Sequence, residues 1–144
     1  IPPLQHERVM ALKQRRPDLV IELNGGLESP EDCLQALEGC DGAMVGRAAY
    51  SHPLRWTSVD ALIFGEESRQ ILASDVVDGL LPHAAAHLER GGRLWDLCRH
   101  MVQLVEGVRG ARHWRRELGE KAQRPGADLK VLVQAGQQLK DAGL

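Results

Sequence analysis

Two short stretches carry residue types suited to holding a ligand. Asn24-Gly25-Gly26 follows the run Leu19-Val20-Ile21-Glu22-Leu23, and Gly46-Arg47 follows Gly42-Ala43-Met44-Val45. Glycine has no Cβ, so the chain adopts positive φ there and lets a ligand touch the main chain. Convergent main-chain N–H groups at strand ends, often beside a helix amino terminus, make an anion site, and a phosphate fits one. Asn24 can add a side-chain amide and Arg47 a charge. The residues alone leave a second reading open, because Gly-Gly after a strand also serves as a plain tight turn.

A third group is Arg109, Arg112, Arg115 and Arg116. Helical projection of residues 109–124 gathers Ala111, Trp114, Leu118 and Ala122 on one side. Arg112 and Arg116 fall nearly opposite, Arg109 lies near them and Arg115 on the flank. Such a face can follow a phosphate backbone, where each cation releases counterions and carries no sequence information. A solvated surface helix has the same spacing, so this reading too stays open. The chain holds one Tyr, one Phe and three Trp, which leaves little capacity for stacking bases and favours recognition of backbone and shape.

The charge distribution points the same way. Residues 1–89 carry 7 Lys/Arg against 14 Asp/Glu, residues 90–124 carry 9 against 4, and the last 20 carry 2 against 2. A change of sign between segments suggests two regions with different work, the second suited to a polyanion.

The elements that must position these groups follow from pattern. Residues 5–16 read as a surface helix ended at Pro17-Asp18. Leu19–Leu23 reads as a buried parallel strand. Ser29-Pro30-Glu31-Asp32 has the form of an N-cap, Pro at the first helical position and acidic residues in the first turn. That helix turns Cys33, Leu34 and Leu37 inward and stops near Gly39. Residues 42–46 give a second strand, followed by Arg47–Tyr50 and a turn at Ser51-His52-Pro53. Helix, strand, helix, strand with short loops is the unit of a parallel sheet.

After residue 54 no strand pattern recurs. Residues 58–68 read as a connector with a short helical turn. Ile71, Leu72, Val76, Leu80 and Leu81 set a helix over 68–89, with a kink expected at Pro82. Leu94, Leu97, Met101, Leu104 and Val105 mark the next helix. Residues 111–122 and 127–140 form two more, separated by Pro125-Gly126.

Cys33, Cys40 and Cys98 have no metal-ligand spacing and suit a reducing compartment as small buried residues. No apolar run approaches the roughly 20 residues that span a bilayer, so a cytoplasmic protein is expected. The chain opens on Ile1-Pro2-Pro3, which fits a piece of a longer protein.

The stretch IELNGGLESPEDCLQALEGCDGAMVGRAAYSHP resembles the seventh-to-eighth strand region of bacterial tRNA-dihydrouridine synthases of the DusA subfamily. The opening IPPL with RV and LK, VDALIFG, and RHMVQLVEGVRGARHWRREL are similar to that family as well, so the likeness runs from Ile1 to about Leu132. It implies an α/β fold: the C-terminal part of a (β/α)8 TIM barrel, its last two strands, followed by an all-α helical domain. Residues 1–57 would belong to the FMN-binding barrel, 58–67 to a connector and 68–144 to a helical tRNA-binding domain. Asn24, Gly25, Gly26, Gly46 and Arg47 would bind the FMN phosphate, and Arg112 and Arg115 would contact tRNA. Arg99-His100 would support that surface or serve structure alone.

The implied reaction is FMN-dependent reduction of a D-loop uridine, at position 20 or 20a, with NADPH as reductant. The general acid of the family is a cysteine in an NxGCPS-like loop, which does not occur here. Cys33, Cys40 and Cys98 sit wrongly to replace it, so no catalytic residue and no metal site is expected in this chain. Alone, it should neither retain flavin well nor turn over. Ser51-His52-Pro53 departs from the family's HNP and is expected to matter little. Two other readings remain: another FMN TIM-barrel oxidoreductase, or a non-catalytic RNA-binding module.

Overall fold

The computed structural model describes residues 3–108 and 110–144. The chain divides between Arg69 and Gln70 into two compact units.

The first unit runs α1 (His6–Arg15), β1 (Glu22–Asn24), α2 (Pro30–Leu37), β2 (Gly42–Met44), α3 (Arg47–Ser51), a 3-10 turn (Pro53–Ser58) and α4 (Val59–Phe64). β1 and β2 pair in parallel, with Glu22 opposite Gly42, Leu23 opposite Ala43 and Asn24 opposite Met44. Asp41 locks the entry to this pair: its N–H donates to Ile21 O at 2.9 Å, and its carboxylate accepts from Ile21 N–H at 2.8 Å. Lys13 bridges from α1 to the same carboxylate at 2.8 Å and also donates to Leu19 O.

α2 begins as expected. Ser29 Oγ accepts from Asp32 N–H at 3.1 Å, and the Asp32 carboxylate accepts from the N–H groups of Glu28 and Ser29. The helix buries Pro30, Cys33 and Ala36, while Leu34, expected inward, is largely exposed. Leu23, Leu27, Cys33, Ala36 and Cys40 form the core, with Val9, Met10, Ile21, Trp56 and Ile63 packed against it. Ile63 lies on α4, so residues 59–64, expected as a connector, pack within this unit.

The first strand is shorter than its sequence suggests. Leu19 and Val20 lie outside β1, and Val20 is 84% exposed. An apolar β-branched run becomes a buried strand only where neighbours cover both its faces; among the described residues β1 is bonded to β2 alone.

The second unit holds α5 (Ala73–Glu89), α6 (Leu94–Met101), α7 (Ala111–Glu117), a π-helical turn (Leu118–Ala122) and α8 (Leu129–Asp141). α5 runs unbroken through Pro82. Its buried face is Ala73, Ser74, Val77 and Ala84 rather than the large residues expected, and Ile71 is exposed. A close approach of its partner accounts for part of this. A Cβ on Gly136 of α8 would stand 2.9 Å from Val77 Cγ1, so at that point the two helices leave no room for a larger side chain. Asp78 and Lys140 pair between them at 2.7 Å.

α6 stops at Met101, earlier than its apolar stripe suggests, yet Leu104 and Val105 in the following turns are buried. The Trp114 indole N–H donates to Met101 O at 2.9 Å, a helix-end carbonyl that also accepts from Leu104 N–H at 3.0 Å. All three cysteines are free and buried, and burial pushes the Cys98 thiol up to about 11.

Candidate anion pocket and arginine face

The register decides where the two glycine turns lie. Because Asn24 pairs with Met44, both strands end level, and the chain leaves them at one edge of the sheet. Asn24, Gly25, Gly26, Gly46 and Arg47 line a single cavity of about 520 Å³. The structure therefore brings all five sequence-derived residues together, although they come from two separate loops.

Gly25 and Gly26 have φ of 106° and 71°, backbone that disfavours any residue with a Cβ. A Cβ at Gly26 would also stand 2.8 Å from Leu4 Cδ1. His6, at the start of α1, donates from Nε2 to Gly25 O at 2.8 Å. This bond occupies the carbonyl of the turn, and a carbonyl is the group that would repel an anion. Sequence reading missed His6, since nothing local links it to a turn nineteen positions away.

The cavity has further walls. Ser51, His52 and Arg55 line it as well. Ser51 and His52 thus belong to the cavity wall, although the stretch Ser51-His52-Pro53 is expected to matter little. α3 is one turn long, so Ser51, four positions after Arg47, returns to the same face. Arg55 Nη1 donates to Glu28 O at 3.3 Å, tying the 3-10 turn to the loop after β1.

In the second unit Ala111, Trp114, Leu118 and Ala122 are buried while Arg112, Arg115 and Arg116 are exposed. The two faces separate as the helical projection has them. Arg116 donates to His113 Nδ1 at 3.3 Å, and His113 Nε2 donates to Gln138 Oε1 at 2.9 Å. Arg109 lies outside the described residues. Arg99 Nε donates to His100 Nε2 at 3.0 Å on the exposed side of α6.

Comparison with known proteins now bears on both features. The family model described as dihydrouridine synthase matches residues 1–141. The chain belongs to the dihydrouridine synthase family. It is 41% identical over 140 residues to the tRNA-dihydrouridine(20/20a) synthase of Shewanella oneidensis, covering 97% of this chain and 42% of that protein. The protein of the same name from Salmonella typhimurium is 42% identical over 135 residues, covering 94% and 41%. That of Vibrio cholerae is 40% identical over 135 residues with the same coverage. The chain thus spans about two fifths of the length of these relatives. Both the cavity and the arginine face fall inside the part that matches. No helix among the described residues is long and apolar enough to cross a membrane.

Proposed function

We propose that this chain supplies the flavin-phosphate end and the RNA-contacting helices of a tRNA-dihydrouridine synthase. That enzyme would reduce a D-loop uridine of tRNA, at position 20 or 20a, using FMN and NADPH, in the cytoplasm where tRNA is modified. The observation that carries this reading is the convergence of Asn24, Gly25, Gly26, Gly46 and Arg47 on one cavity, in a chain with family membership along nearly its whole length.

The residues present fit the phosphate of FMN. Gly25 and Gly26 hold positive φ without a Cβ of their own, His6 holds the Gly25 carbonyl in another bond, and nothing stands within 4 Å of where a Cβ on Gly46 would be. The N–H groups of Gly25, Gly26 and Gly46 would donate to phosphate oxygens, with the Asn24 amide beside them and the Arg47 guanidinium as counter-charge. FMN, when bound and reduced by NADPH, would supply the hydride for the uridine C5–C6 bond. β1 and β2 would be the last two strands of a (β/α)8 barrel, whose final loops commonly hold a phosphate.

Residues 68–144 would form the tRNA-binding domain, with Arg112 and Arg115 on the phosphate backbone. The cysteine acting as general acid would lie in a part of the enzyme outside this chain, and this chain alone would hold flavin weakly and reduce no uridine.

The test is a pair of titrations on the full chain. FMN should shift the amide resonances of Gly25, Gly26, Gly46 and Arg47, and tRNA should shift those of Arg112 and Arg115 with strong salt dependence. Silence of the glycine amides at millimolar FMN would remove the flavin reading, and salt-independent or absent tRNA binding would remove the second.

A further inference from the structure

We propose that Arg55 is a second phosphate-binding cation of the cavity, a positioning role that rests on the flavin-phosphate reading above. A phosphomonoester carries about −1.5 to −2 charges at neutral pH, more than one arginine offsets. Arg47 and Arg55 both line the cavity, and so does Glu28, whose carboxylate opposes an anion. With Arg47 alone the fixed charges of Arg47 and Glu28 cancel; with Arg55 the lining is net positive.

The bonding of Arg55 leaves it available. Its one protein acceptor described here is Glu28 O at 3.3 Å, beyond the usual range of about 2.7–3.2 Å for such a bond. Guanidinium carries several further N–H donors in a planar fork that matches phosphate oxygens. The bond also has a direction that matters. It runs from the 3-10 turn to Glu28, in the loop that begins with Gly25 and Gly26, so an anion gripped by Arg55 would lie beside that turn. Arg47 and Arg55 both follow β2, Arg47 at the start of α3 and Arg55 in the 3-10 turn after it. Arg55 would hold the phosphate from the side tethered to the loop after β1 and Arg47 from beside Gly46, each supplying a charge.

The experiment titrates FMN and, separately, inorganic phosphate into the full chain and into Arg55→Gln, Arg55→Lys and Arg47→Gln, with a thermal melt of each. Arg55→Gln should weaken both ligands by roughly tenfold, the loss expected for one charge-assisted bond. Arg55→Lys should recover most of that loss, since it keeps the charge, and the melting temperatures should agree. If Arg47→Gln weakens binding while Arg55→Gln stays within twofold, Arg55 is only a loop tether; the proposal fails and the flavin reading stands. A lowered melting temperature in Arg55→Gln without loss of phosphate affinity has the same meaning. If neither ligand moves the Gly25, Gly26 and Gly46 amides of the unaltered chain, both readings fall together.

Discussion

In the first unit the cavity is lined by glycines and by an arginine that begins a one-turn helix, whereas in the second the exposed cations sit on a helix whose other face is core. The first arrangement is made of backbone. Gly25 and Gly26 hold positive φ, and the register of a two-stranded pair sets where they stand relative to Gly46. The second is made of side chains. Trp114, Leu118 and Ala122 anchor one face, and Arg112 and Arg115 project from the other without taking part in that packing. A backbone site shares its determinants with the fold, so it cannot be removed without disturbing local structure. A side-chain site can be erased while the fold stays whole.

The largest effect should come from the packed face of the arginine helix. Trp114 is 2% exposed, and its indole N–H caps Met101 O. Trp114→Ala should destabilise the helical unit by about 3–5 kcal/mol. Chemical denaturation followed by the amide signals of each unit should show the helical unit lost first and the β1–β2 signals kept. Equal loss in both units would mean that they do not fold as separate bodies, and the contrast drawn above would fail.

Next comes the glycine turn. Gly26→Ala puts a Cβ on a residue at φ 71°, at a cost of about 1–2 kcal/mol. The clash with Leu4 Cδ1 adds less, because Leu4 is exposed and can swing aside. FMN affinity should fall together with stability, and that coupling is what a main-chain site requires. An unchanged melt with normal FMN binding would show that the turn is neither strained nor used.

Arg112→Gln with Arg115→Gln should do the reverse. Both residues are exposed, so stability should stay within about 0.5 kcal/mol. The slope of log affinity for tRNA against log salt should flatten by about 1 for each phosphate contact removed. A changed affinity with an unchanged slope would mean that these arginines do not neutralise phosphates.

How much of this could be read from the chain depends on how local each cause is. Ser29 and Asp32 make their cap within three residues, and the pattern shows it. The phase of Trp114 and Leu118 separates the arginine face in the same way. The glycine turns are visible as punctuation, though their convergence needed the register, which two short runs do not state. The missed features are long-range. His6 bonds Gly25, Arg55 bonds Glu28, and the small-residue face of α5 answers to Gly136 on α8. Large apolar residues such as Leu80 and Leu81 suggested another face for α5, because a single helix's sequence cannot reveal how closely its partner comes. β1 lost its first residues for the same kind of reason: strand length is set by pairing, which Leu19 and Val20 lack here.

The smallest effect is confined to acid and tests whether the strand entry supports the cavity. Asp41 accepts from Lys13 and from Ile21 N–H, and first the Lys13 bond, then the backbone bond, holds its carboxyl below the ordinary carboxylate range. A carboxyl with a depressed folded-state pKa contributes stability that is complete above the unfolded value of about 3.9 and is lost as pH falls through the folded one. Asp41→Asn keeps an acceptor for Ile21 but gives up the charge facing Lys13. At neutral pH the substituted chain should therefore melt slightly lower, and the two melting curves should converge as pH is taken below 4. Because the pair is partly exposed, salt should narrow the neutral-pH gap as well. A gap that persists unchanged at low pH would place the contribution of Asp41 in its backbone bond alone, and would leave Lys13 as an ornament of α1 rather than a clamp on the strand that carries Asn24.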